Sequence, residues 1–273
     1  LIKSDEDVEL MRRAASISCE AHRAAMAACR PGMHEFELEA LVEYTFRRNG
    51  ALGPSYTSIV GSGPNATILH YIENNRRIED GDLVLIDAGA EFAYFAADIT
   101  RTWPANGTFS PEQRAIYELV LEAQVEAVEA TRPGARMQDV HDGVVRTLTT
   151  GLVRLGLLDG PVDKLIEDGA FRAFYMHKTG HYLGLDVHDV GKYRDGEEWR
   201  PLAPGMVVTV EPGLYIAEDC PDVEPRWRGI GVRIEDDVLI TASGNEVLSA
   251  GAPKAVAEIE QLVGSAATAA SRS

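Results

Sequence analysis

The sequence has no apolar run long enough to span a bilayer, which argues against a membrane protein. No signal-peptide pattern opens it either. Positive charge is scarce: 26 lysines and arginines face 43 aspartates and glutamates, for a formal net charge of −17. Nucleic acid demands a basic footprint, so a nucleic-acid partner is not expected. Cysteine is scarce as well. Cys19, Cys29 and Cys220 are odd in number and fit no zinc spacing. They read as reduced thiols of a cytoplasmic protein, not as a disulfide framework. What remains is an ordinary globular composition over 273 residues, ample for one large core. The acidic surplus reads as a solvated surface, part of it available to bind cations. The start at Leu1 instead of Met reads as a piece of a longer chain.

Ser4, with Asp7 three residues on, opens a capping box and predicts a helix from Asp5 to Cys29. Arg30-Pro31-Gly32 breaks it. A second helix is expected from Phe36 to Arg48, closed by Gly50. The order then recurs. Ser110-Pro111-Glu112-Gln113 starts a helix that runs to Thr131. Arg132-Pro133-Gly134 ends it, and a helix from Met137 to Leu155 follows. Strands are expected after each pair: Tyr56–Val60, Leu83–Asp87 and Phe92–Arg101, then Val207–Glu211 and Gly231–Thr241. Helix, Arg-Pro-Gly, helix, strands, twice over, predicts an internal duplication: an α+β fold of two halves about a pseudo-twofold axis, with a site between them.

The candidate site residues lie on these strands. Leu83–Ile86 is apolar and ends in Asp87, and the chain returns to Asp98. A buried carboxylate needs a partner, either an arginine or a metal. Val207–Val210 likewise ends in Glu211, with Pro212 stopping the strand. In Gly231-Val232-Arg233-Ile234-Glu235-Asp236, a period of two puts Arg233 and Glu235 on one face. That pair is either a plain ion pair or an arginine steadying a metal-binding carboxylate. His177, His181 and His188 fall within twelve residues among glycines and point to a polar site. Four carboxylates and an imidazole suit a pair of divalent ions such as Mn²⁺, Co²⁺ or Zn²⁺. Two such ions, roughly 3.5–4 Å apart, activate water for hydrolysis of an acyl or phosphoryl bond.

In this order the residues resemble the pita-bread metallopeptidases, which include methionine aminopeptidase, prolidase and aminopeptidase P. The segments PSYTSIVGSGPNATILHYIENN from Pro54, HYLGLDVHDVG from His181 and RGIGVRIEDDVLIT from Arg228 look most like the aminopeptidase P group. The resemblance extends to about Val263. It implies a pita-bread catalytic domain over residues 1–264, followed by a small polar tail, 265–273, expected to be disordered. The additional N-terminal domain usual in that group is not in this sequence.

The resemblance further implies a dinuclear metal site, with Mn²⁺ the first choice. Asp87 would hold one ion and His181 and Glu211 the other, with Asp98 and Glu235 bridging. Glu211 would move a proton and His188 would stabilise developing charge on oxygen. His70 and His177 would line the substrate site, and Arg233 would stand behind a ligand. Tyr215 either lines the pocket or merely packs. The implied reaction releases the first residue of a peptide with proline second. Prolidase chemistry on dipeptides is the rival, and a non-catalytic pita-bread module that binds a partner ranks below both. Homo-oligomerisation is left open.

Overall fold

Two capping boxes start the longest helices. Ser4 Oγ accepts the Asp7 N–H at 3.2 Å while Asp7 accepts the Ser4 N–H at 2.9 Å, opening α1 (Asp5–Ala28). Ser110 and Gln113 do the same for α3 (Pro111–Ala130), with Pro111 in the first turn, where its missing N–H costs nothing. Each pairs with a second helix, α2 (Glu35–Arg48) and α4 (Met137–Arg154). This computed structural model describes residues 1–266, so the tail expected at 265–273 lies, from 267 on, outside the described residues.

The strands of the first half are β1 (Gly53–Pro54), β2 (Ile59–Ser62), β3 (Leu83–Asp87), β4 (Ala90–Phe92), β5 (Phe95–Ala96) and β6 (Thr100–Pro104). The second half adds α5 (Val162–Glu167), β7 (Arg194–Asp195), β8 (Glu198–Trp199), β9 (Val207–Val210), β10 (Gly213–Ile216), β11 (Ile230–Arg233), β12 (Asp236–Ile240), β13 (Asn245–Val247) and α6 (Val256–Leu262). All pairings are antiparallel. Strand β3 lies between β2 and β6, and β12 lies between β9 and β13. Both faces of β3 and β9 are buried, which explains their near-continuous apolar sequences, whereas β12, equally buried, opens on Asp236 and Asp237.

The duplication shows in backbone detail. Gly32, at φ +93°, donates to Ile78 O, and Ile78 donates back to Met33 O. Gly134, at φ +83°, donates to Leu202 O, and Leu202 donates back to Ala135 O. Only glycine tolerates that left-handed conformation cheaply, which is why both breakers end in it. Counting five residues on from Ile78 and from Leu202 reaches Leu83 and Val207, the starts of β3 and β9. Asp87 and Glu211 are therefore the same position in the two halves.

Three expected strands differ from those observed. Tyr56–Val60 becomes a strand only at Ile59, where β2 begins, and runs on to Ser62. Phe92–Arg101 is not continuous: Ala93 and Tyr94 turn at φ 49° and 71°, and the chain between β5 and β6 carries Asp98. Gly231–Thr241 breaks at Ile234–Glu235. There the chain leaves its partner β10 for β9, and Glu235 N–H crosses to Thr100 O of the first half at 3.1 Å. Both breaks put a carboxylate where regular pairing stops.

His22 of α1 is wholly buried, with Nε2 3.0 Å from the Ala88 carbonyl and Nδ1 without a partner. Burial lowers its pKa to about 4. The unfolded chain takes up this proton near pH 6.5 and the folded chain only near 4, so stability falls as pH drops through that window. The slope is about 1.4 kcal/mol per pH unit, or roughly 3 kcal/mol across it. We expect His22→Gln to remove this share of the acid sensitivity. Denaturant unfolding at pH 7, 5.5 and 4.5 measures it, and equal pH slopes in the two proteins would contradict the assignment.

Candidate metal centre

The centre forms where the two halves meet. Asp87 ends β3 and Asp98 precedes β6. Glu211 follows β9, and Glu235 sits in the gap between β11 and β12. Residues 179–183 run antiparallel alongside β9: Glu211 N–H donates to Thr179 O at 2.8 Å and Thr209 N–H to His181 O at 2.9 Å. Gly180 is required here, because a Cβ would collide with the Thr209 carbonyl. That close approach sets His181 beside Glu211.

Ligand atoms of Asp98, His181 and Glu235 all lie within 4.8 Å of one another. His181 Nε2 is 3.4 Å from Asp98 Oδ2 and 3.6 Å from Glu211 Oε1. Its Nδ1 is 3.0 Å from the Tyr182 carbonyl and must donate there, which points Nε2 at the acids. Asp87 joins through Tyr56, whose hydroxyl is 2.5 Å from both Asp87 Oδ1 and Asp98 Oδ1. Arg233 Nη2 holds the other Asp87 oxygen at 2.5 Å. Thr100 Oγ1 accepts from Arg233 Nε at 3.1 Å and donates to Glu235 Oε2 at 2.6 Å. Arg233 and Glu235 are thus joined through a threonine, although the strand expected to carry both breaks between them.

Charge in this cluster is unbalanced. Four carboxylates face one arginine and one imidazole. Burial pushes Glu211 up to about 7, partly offset by His181. Burial and then Asp98 push Glu235 well above the usual carboxylate range, and burial also raises Asp98. Burial alone would depress His181, but its hydrogen bond to Asp98 and the charges of Asp98 and Glu211 hold it at about 9. Tyr56 has one proton for two carboxylate oxygens. Protons or cations must supply the missing positive charge, and hard oxygen donors with one imidazole fit divalent metal.

The cluster floors a cavity of about 460 Å³ that Asp87, His181 and Glu211 line. His70, His177 and His188 line it too. His188 stacks edge-on against His181 at 4.2 Å, and its neighbour Asp189 is pinned by Lys3 at 2.8 Å. His177 Nε2 lies 2.9 Å from Tyr215 Oη, and Tyr215 in turn accepts from Arg233 Nη1 at 3.1 Å. Tyr215 itself is buried behind His177 and is not part of the wall. Burial, and next Arg233, lower His177 to about 4. Burial lowers His188 as well.

Sequence reasoning missed Tyr56, Thr100 and His141. Tyr56 and Thr100 sit on irregular or short segments with no periodicity to mark them. His141 lines the cavity from the same face of α4 as Met137, four residues earlier, and that spacing was the available signal.

The profile described as metallopeptidase family M24 matches residues 9–242. The chain is 54% identical over 263 residues to the Xaa-Pro aminopeptidase of Haemophilus influenzae, covering 96% of this chain and 61% of that one. It is 41% identical to the Xaa-Pro dipeptidase of Homo sapiens, covering 95% and 59%. Among solved structures, the aminopeptidase PepP of Pseudomonas aeruginosa superposes with a TM-score of 0.96 at 59% identity, covering 99% of this chain and 61% of that one. The chain therefore spans about three fifths of the length of these relatives. The likeness establishes the expected α+β pita-bread fold. Among the described residues, no helix is long and apolar enough to cross a membrane.

Proposed function

The chain belongs to metallopeptidase family M24, and from that premise we propose that it releases the N-terminal residue from peptides with proline in second position. The observation that carries this reading is a single cavity whose floor is the acid–imidazole cluster and whose wall holds four histidines, His70, His141, His177 and His188. The catalytic domain proposed runs over residues 1–264. Asp87, Asp98, His181, Glu211 and Glu235 would hold two divalent ions, Mn²⁺ by preference, with Co²⁺ or Zn²⁺ as alternatives. Bound there, such ions polarise a carbonyl and bring water near neutral pKa.

The chain's own groups suit the rest of the task. An Xaa-Pro bond is a tertiary amide with no N–H, so a peptidase that grips that N–H loses its handle. A site that would hold the free α-amine end of the peptide does not need it. Glu211, beside His181 at the cavity floor, would take and return a proton. His188, held neutral beside His181, is placed to donate to developing charge on the substrate carbonyl oxygen. His70 and His177 position substrate, while Arg233 and Tyr215 steady Asp87 and His177 from behind.

The test is a titration with Mn²⁺, Co²⁺ and Zn²⁺ while following release of the first residue from an Xaa-Pro-Pro peptide. Cleavage of Xaa-Pro dipeptides but not of the tripeptide would instead support the dipeptidase reading suggested by the human relative. His188→Ala is expected to lower kcat by about a hundredfold or more, the loss typical of one such donor, with metal content unchanged. A variant that lost its metal would show that His188 is a ligand.

A further inference from the structure

The cavity contains one cation that the reaction proposed above does not use. Its two full cations are Arg233 and Lys178. Arg233 is engaged with Asp87 at 2.5 Å. Lys178 is not engaged. Of the five lysines, Lys3, Lys164 and Lys254 each hold a carboxylate, whereas among the described residues none pairs with Lys178. Its side chain is exposed and lines the cavity beside His141 and Gln138. Asp142, the nearby acid on α4, accepts the Gln138 amide at 2.6 Å. His141 gives its Nδ1 to Thr179 Oγ1 at 2.8 Å, and burial, followed by Lys178 itself, lowers its pKa to about 4. His141 is therefore neutral, and Lys178 carries the positive charge of this wall.

The cavity thus has two chemically distinct ends. The acid–imidazole floor is where the reading above puts the metals and the N-terminal end of the peptide. The Lys178 wall is cationic and suits an anion. The backbone fixes their separation: Thr179, next to Lys178, accepts the Glu211 N–H at 2.8 Å, so Lys178 leaves the chain one residue from the floor. An extended peptide covers about 3.5 Å per residue, so two or three residues bridge a floor and a rim this close.

We propose that Lys178 binds the C-terminal carboxylate of a short substrate, so that the preferred peptides are free acids of two or three residues. This rests on the Xaa-Pro aminopeptidase reading above and adds the substrate class. An exposed ammonium binding a carboxylate acts mainly on substrate affinity and weakens with salt.

The experiment compares an Xaa-Pro-Xaa tripeptide with its C-terminal amide, using the full chain loaded with Mn²⁺. Wild type is expected to favour the free acid by about tenfold in kcat/KM, chiefly through KM, with the preference shrinking at high salt. Lys178→Met is expected to abolish that preference while leaving amide turnover and metal content unchanged. Lys178→Arg is expected to retain it. An acid-to-amide ratio equal in wild type and Lys178→Met overturns the proposal and leaves the aminopeptidase reading standing. Failure of wild type to cleave either peptide overturns both.

Discussion

Glu235→Ala is expected to abolish metal-dependent peptide hydrolysis while leaving the fold standing. Glu235 is 2% exposed and lies within 4.8 Å of both Asp98 and His181 through its ligand atom. Its carboxyl is pushed well above the usual range, first by burial and then by Asp98 and Glu211, so the metal-free fold gains little from its charge. Removing it relieves repulsion and leaves Thr100 Oγ1 as the only partner to be resatisfied. Loss of a proposed ligand should nevertheless cost a metal more than loss of a supporting residue, whose removal already costs about 10–100-fold in affinity. We therefore expect metal affinity to fall by more than about a hundredfold, and hydrolysis with it. Thermal melts separate the two effects. Added Mn²⁺ should raise the wild-type midpoint by mass action and leave the variant's unchanged, while the metal-free midpoints stay close. Full activity in the variant would falsify the two-metal assignment.

Asp236→Ala is expected to be the most costly change to stability. Asp236 and Arg101 are both 0% exposed and meet at 2.7 Å. Asp236 also accepts from Gln124 of α3, Ser249 and Lys254. Arg101 of β6 donates to the Glu235 carbonyl at 2.5 Å and to Ala252 O at 3.0 Å. One ion pair therefore joins the first-half sheet, the second-half strand β12, a helix and the C-terminal segment. Burial works against the Asp236 charge, yet Arg101 and then Lys254 hold its carboxyl below the usual range. Deleting one partner strands the Arg101 charge in the interior, which costs about 3–5 kcal/mol. For a chain of this size that lowers Tm by roughly 10 °C. Denaturant unfolding of wild type and variant measures it, and a loss below about 1 kcal/mol would refute the role assigned to the pair. The double replacement Arg101→Met with Asp236→Leu should recover part of the loss, since the buried guanidinium is then no longer left unpaired and only the part-exposed Lys254 loses its carboxylate.

Much of this was legible from local chemistry. Ser4 and Ser110 mark helix starts because a cap bonds residues three apart. Gly32 and Gly134 mark breaks because φ near +90° excludes most other residues. The acids ending β3 and β9 stood out because a carboxylate closing an apolar strand needs a partner. What was not legible depends on which strand lies beside which. Phe92–Arg101 is apolar enough up to Ala97 to read as one strand, and only the turn at Ala93–Tyr94 and the bond from Ala96 N–H to Gly184 O show why it is divided.

The sequence by itself therefore determined the four long helices, the repeated plan and the four candidate carboxylates, since each rests on contacts a few residues apart or on the chemistry of one side chain, while His181 was singled out among the histidines by the family resemblance. The tertiary structure alone decided that Asp98, His181 and Glu235 share one site. It also decided that Tyr56 sits between Asp87 and Asp98, that Tyr215 stands behind the wall and not in it, and that Lys178 faces the cavity with no acid partner among the described residues. Those contacts mostly join residues dozens of positions apart, and their partners are chosen by packing of the two halves, which no local pattern encodes.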